Sequence, residues 1–198
     1  MRKISGLTWI WMMCGLGWAA EPVVLPAVAV ARMGGDAVEN AFSNGTGALG
    51  VGTIGWNGNI HFKTLVAVDL LMVLEDLPRM THAELTLQLD FNRFPEHSPA
   101  HRVTLIGVTA TPTLPNWVFR EYFTGAGEEI GRIPGTLKPG ERKSFRIEDL
   151  LHTLELSPVN RFVWFRIEEE VPGAGNINTV AGYSVDLENH FLTIQLRD

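Results

Sequence analysis

Histidines, clustered carboxylates and loop aromatics are the residues of this chain that could do chemistry. The six histidines are His61, His82, His97, His101, His152 and His190. His97 and His101 have the i, i+4 spacing that places two metal ligands on one helix face. Pro99 lies between them in "HSPAH" and disfavours a helix. Glu96 adjoins, but no third ligand completes a set, so a solvated loop is expected here. The carboxylates gather at Glu128-Glu129 and Glu168-Glu169-Glu170. A glycosidase needs two carboxylates facing across a cleft, and neighbours on a strand point opposite ways. Neither cluster is itself such a pair. Glu129 with Glu169 is the cross-cleft alternative, and solvated strand ends are the plainer expectation. No G-x-S-x-G elbow, P-loop or zinc signature is present. The only cysteine, Cys14, lies in the N-terminal apolar segment.

Aromatic rings give the best binding candidates. Sugars stack their apolar faces on exposed Trp and Tyr while polar groups orient the hydroxyls. Trp56 lies in the glycine-rich "GWNGN", and Trp117 and Tyr122 lie in "PNWVFREYF" with Phe119 and Phe123. These loop rings are the expected ligand site, the alternative for Trp117–Phe123 being a loop packed over an open end of the fold. Trp164 sits inside an apolar strand and is expected in the core. Asn44-Gly45-Thr46 is formally a glycosylation sequon.

Elements must hold these residues in place. Met1–Ala20 reads as a cleaved secretory signal: Arg2-Lys3, an apolar body, then Gly17-Trp18-Ala19-Ala20. The apolar run is too short for a confident span. Trp11 and Met13 around Cys14 do not fit a lipoprotein signal. The expected address is secreted or periplasmic, with no stable membrane insertion after cleavage. Removing 20 residues from 198 leaves 178, enough for one domain, 21–198, held by its core without disulfides. Removing Arg2 and Lys3 from 16 basic residues leaves 14 against 22 acidic, a formal charge of −8. No basic stripe exists, so nucleic acid is a poor partner.

After the signal, period-two patterns recur between Gly, Pro and Asn. Ala83–Phe91 is the clearest strand, with Leu85, Leu87 and Leu89 on one face and Glu84, Thr86 and Gln88 on the wet one. Phe162–Glu168 and Leu192–Arg197 are two more. Val23–Ala31, with Pro26 suited to an edge, Ile60–Leu71, Arg102–Ala110, Phe145–Ile147 and Tyr183–Leu187 are further candidates. The glycine-rich Ser43–Asn59 and Gly125–Gly140 are expected as irregular connectors. Asp149–Leu154 and Val118–Phe123 suit single helical turns. Eight or more strands in one chain predict an all-β, jelly-roll-like antiparallel β-sandwich.

Four segments in order, "LVAVDLLMVLEDLP" at 65–78, "THAELTLQLDF" at 81–91, "FRIEDLLHTL" at 145–154 and "RFVWFRIEEE" at 161–170, resemble secreted jelly-roll modules of the DNRLRE and carbohydrate-binding kind. The resemblance implies the fold, and often a structural Ca²⁺ near the chain ends, for which Asp36, Glu39, Asp186 and Glu188 offer oxygens. It carries over no ligand-binding residue. The function expected is a non-catalytic recognition module for a polysaccharide or cell-surface glycan. A structural or adhesive protein with envelope partners is the first alternative; a glycoside hydrolase or polysaccharide lyase is the second.

Overall fold

The computed structural model describes residues 21–34, 37–40, 49–55, 59–92, 99–113, 127–170 and 179–197. The N-terminal segment, Asp36, the sequon, Trp56, His97, Trp117, Tyr122 and the helical turn expected at 118–123 lie outside them. The strands are β1 (Val23–Gly34), β2 (Ala37–Asn40), β3 (Leu49–Gly55), β4 (Asn59–Asp69), β5 (Met80–Asn92), β6 (His101–Thr109), β7 (Glu128–Ile133), β8 (Arg142–Arg146), β9 (Phe162–Glu169), β10 (Thr179–Tyr183) and β11 (Phe191–Leu196), with a short helix α1 (Glu148–Thr153). Every pairing is antiparallel. The chain is an all-β antiparallel sandwich. Among the described residues no helix is long and apolar enough to cross a membrane.

Two strands are shared between the layers. The first half of β1 pairs with β11, and after an irregularity between Ala27 and Ala29 its second half pairs with β4. Likewise β5 pairs with β11 and β8, then with β10 at its end. Hydrogen bonding therefore runs round a ring, β1–β11–β5–β10–β3–β4 and back to β1. The first layer is the start of β1, β11, β5 and β8. The second extends from β4 through β9 and β6 to β7. A closed ring has no open edge. Pro26 consequently sits not on an edge strand but where β1 leaves β11, paired with Phe191.

The core lies between the layers. Leu85, Leu87 and Leu89 of β5 meet Leu192 and Ile194 of β11 and Val66, Val163 and Phe165 of the second layer, all of them buried. The inward face of β5 is as the alternation predicts. Its outward face is less wet than expected: Thr86 is only 4% exposed, because Ser144 of β8 and Phe191 of β11 flank it. In β9 all eight residues are buried. Phe165 and its alternates line the core, while Trp164 joins Leu65, Ala67, Ala29 and Ala31 in a second apolar cluster, its indole N–H donating to Thr109 Oγ1 at 2.8 Å.

Both glycine-rich segments expected to be irregular contain strands. β3 lies inside the first, with Gly50 paired to Gly182 and Gly52 to Val180. β7 lies inside the second. There a Cβ on Gly131 would come within 2.6 Å of the Phe145 ring, so glycine lets β7 pass over that ring. Glycine is costly in a strand for its entropy, yet marks places of close approach. The candidate at Tyr183–Leu187 is misplaced: β10 runs Thr179–Tyr183 and stops at the residue where that candidate begins.

Candidate functional site

Three groupings of polar side chains stand out, one on each outward face and one within the core.

On the outward face of the first layer, alternation along β1 brings Val24 and Pro26 to the same side. Cross-strand pairing sets Pro26 against Phe191 and Val24 against Thr193. Val24 is 55% exposed, Pro26 is exposed and Phe191 half-buried, so the three make an apolar strip. Arg142 reaches in from β8. Its guanidinium lies 5.5 Å from the Phe191 ring centroid. Nε donates to Gln88 Oε1 at 2.9 Å and Nη2 to Asn189 Oδ1 at 3.3 Å. The Gln88 amide is turned this way in part by its own Nε2, which donates to Asp90 Oδ1 at 3.4 Å. Asn189 Nδ2 in turn donates to Ser184 Oγ at 3.0 Å. His190 anchors the whole group from below. The Gln88 N–H donates to its Nδ1 at 3.3 Å, and its Nε2 pairs with the Ser184 carbonyl at 2.8 Å. Burial holds its pKa below the ordinary value, against the Ser184 bond and Asp90. The neutral tautomer with Nε2–H satisfies both contacts. A strip of apolar surface edged by fixed donors and acceptors is what a pyranose, apolar on its faces and polar at its rim, requires.

The outward face of the second layer carries charges instead. Glu168 of β9 receives Lys63 Nζ at 2.5 Å, Arg102 Nη2 at 2.8 Å and Arg166 Nη2 at 3.1 Å. Next to it Arg132 of β7 bonds Glu129 at 2.9 Å and Glu170 at 2.5 Å. Burial opposes the charges of Glu168, Lys63 and Arg166. It pushes the carboxyl up, but Lys63, Arg166 and Arg102 outweigh it, and the net shift is down. Burial also pulls Lys63 and Arg166 below their usual range. The carboxylate direction decides the state, since arginine does not deprotonate in proteins. This is an ionised network binding four strands together. The expectation of solvated strand ends fails here, because Glu168 and Glu169 are 3% and 4% exposed. Nor do Glu129 and Glu169 face one another across a cleft. Glu129 is taken by Arg132, and alternation turns Glu169 to the side of Ile167, in the core.

The third grouping is His101 with Tyr183. His101 does not lie in a solvated loop; it opens β6, 2% exposed, and its Nδ1 is 2.7 Å from the Tyr183 hydroxyl. Burial lowers the His101 pKa to about 4 and raises that of Tyr183 well above its usual value. Both are neutral at pH 7. A tyrosine serving as a base needs the opposite shift.

An open cleft between β7 and α1 is lined by Glu128, Glu129, Arg146, Glu148 and Asp149. Arg146 bonds Glu148, and Glu148 also accepts from the Ala83 N–H at 3.5 Å. Burial raises the Glu148 carboxyl, but these bonds prevail and leave it below its ordinary value, whereas a general acid needs it raised. Among the described residues no three His, Cys, Asp or Glu side chains are grouped to hold a metal ion. Of the four oxygens offered for Ca²⁺, Asp186 and Glu188 are exposed beside β11 and Glu39 lies in β2.

The platform of Phe191, Arg142, Gln88 and Asn189 escapes sequence reading. Its members come from three separated stretches of the chain, at 88, 142 and 189–191, and no local motif joins all of them. The one available signal was Gln88 on the wet side of the Ala83–Phe91 alternation. No protein-family model matches this chain, and no curated protein matches it.

Proposed function

We propose that this chain is an exported, non-catalytic recognition module that binds a polysaccharide or cell-surface glycan. The observation that carries the reading is the outward face of the first layer, where Val24, Pro26 and Phe191 form an apolar strip beside Arg142, Gln88 and Asn189. The resemblance to DNRLRE and carbohydrate-binding jelly rolls points the same way. Trp56, Trp117 and Tyr122, outside the described residues, remain the loop rings that the sequence offers for such a ligand. Ligand binding at such a face needs no metal or catalytic carboxylate.

The test is a glycan array on purified 21–198, followed by calorimetry on the best ligand. Phe191→Ala should abolish measurable binding, because a weak site depends on few contacts. Retention of wild-type affinity in that variant would remove this face from the reading, and an array with no ligand would remove the glycan.

A further inference from the structure

We propose that Arg142 makes this face a reader of acidic glycans, contacting a carboxylate carried on the sugar. The inference rests on the glycan reading and specifies its ligand class.

Six arginines of the described residues are paired with carboxylates. Arg79 pairs with Asp76, Arg102 and Arg166 with Glu168, Arg132 with Glu129 and Glu170, Arg146 with Glu148, and Arg161 with Asp69. Arg142 is held differently. Its two fixed contacts go to the neutral amide oxygens of Gln88 and Asn189, and its plane is backed by Phe191. Among the described residues no carboxylate lies within ion-pair distance of it. In a chain with 22 acidic residues, a guanidinium held in place without an acid keeps its full charge for a partner.

Geometry supplies the second half. A guanidinium has five N–H donors in a rigid fork. Nε and one N–H of Nη2 are engaged, and the edge formed by Nη1 and the second N–H of Nη2 meets no hydrogen-bond partner among the described residues. That edge matches the two oxygens of a carboxylate. Because the amides and the ring already fix the side chain, little rotamer entropy is lost when the ligand arrives. The adjoining strip of Pro26 and Val24 would lie under the sugar ring that bears the acid.

The probes are an oligogalacturonate and the same oligomer with its carboxyls methyl-esterified, titrated by calorimetry at about 0.15 M salt, where long-range charge effects are screened. Dextran sulfate provides the arm for a sulfate-borne charge. The acid form should bind at least about tenfold tighter than the ester, the worth of one charge-assisted hydrogen bond. Arg142→Gln should erase that preference and leave the melting temperature unchanged. Arg142→Lys, which keeps charge but loses the fork, should restore only part of it. Arg197→Gln, an exposed cation at the chain end, should have no effect. Equal binding of acid and ester in the native chain, or a preference that survives Arg142→Gln, overturns the proposal while leaving glycan binding intact. Dextran sulfate outcompeting the oligogalacturonate would overturn the assignment to a carboxylate. Binding of neither oligomer, with no ligand on the array, would instead overturn the glycan reading beneath it.

Discussion

The two outward faces of the sandwich use the same residue types to opposite ends. On the second layer, arginine and lysine meet carboxylates, and Glu168 gathers three cations while almost wholly buried. On the first layer Arg142 meets amides and a ring, in the open. Removing charges from water is costly unless each finds a counter-charge, so every cation of the buried face has to be held against a carboxylate. An exposed face carries no such requirement, and a charge left unmatched there is open to recognition. The identity of the partner holding an arginine therefore separates a brace from a reader.

The comparison breaks most readily at Glu168. Glu168→Gln should cost about 3–5 kcal/mol, the usual penalty for leaving buried cations without their acid. A denaturant melt showing a loss below about 1 kcal/mol would mean that the second face is no brace.

Acid should reveal the next effect. His101 titrates at about 4 when folded against an ordinary 6.5, so the unfolded chain binds more protons between those values. Its contribution is whole above pH 6.5 and is lost as pH falls towards 4, amounting to about 3 kcal/mol. His190 is lowered in the same direction. Glu168 adds a further loss below pH 4.5, since its folded pKa is also lowered. Stability measured from pH 7.5 to 3.5 should hold down to about pH 6.5 and decline below it, and His101→Gln should flatten the upper part of that decline. A flat native profile between pH 6.5 and 4.5 would contradict neutral, buried histidines.

Thr86→Ala should cost about 1 kcal/mol, the net worth of one hydrogen bond, because its hydroxyl is 2.9 Å from Ser144 Oγ. A fully wet strand face would show no change. Smallest of all, Arg142→Gln should shift stability by less than about 0.5 kcal/mol, as surface changes do. A loss as large as that at Glu168 would make both faces braces and end the contrast.

Much of the fold was legible along the chain. Leu85, Leu87 and Leu89 alternate because a strand with one buried face must, and Trp164 lies in an apolar run too dense for a wet face. What escaped was everything that depends on a neighbour. Ser43–Asn59 and Gly125–Gly140 are rich in glycine, which favours turns when read locally. They hold β3 and β7 because distant strands pair with them, β10 with β3 and β6 with β7, and at Gly131 the Phe145 ring leaves no room for a side chain.

Local pattern alone determined the strand class and the inward set of β5 and β11, because period-two alternation reports burial directly. Tertiary structure alone decided that Pro26 stands at a crossing between layers and that Glu168 is a buried hub. It also decided that Arg142, Gln88, Asn189 and Phe191 meet. Those pairings join opposite ends of the chain, as Pro26 with Phe191, and no spacing along a chain encodes which distant strand a ring of hydrogen bonds will bring alongside.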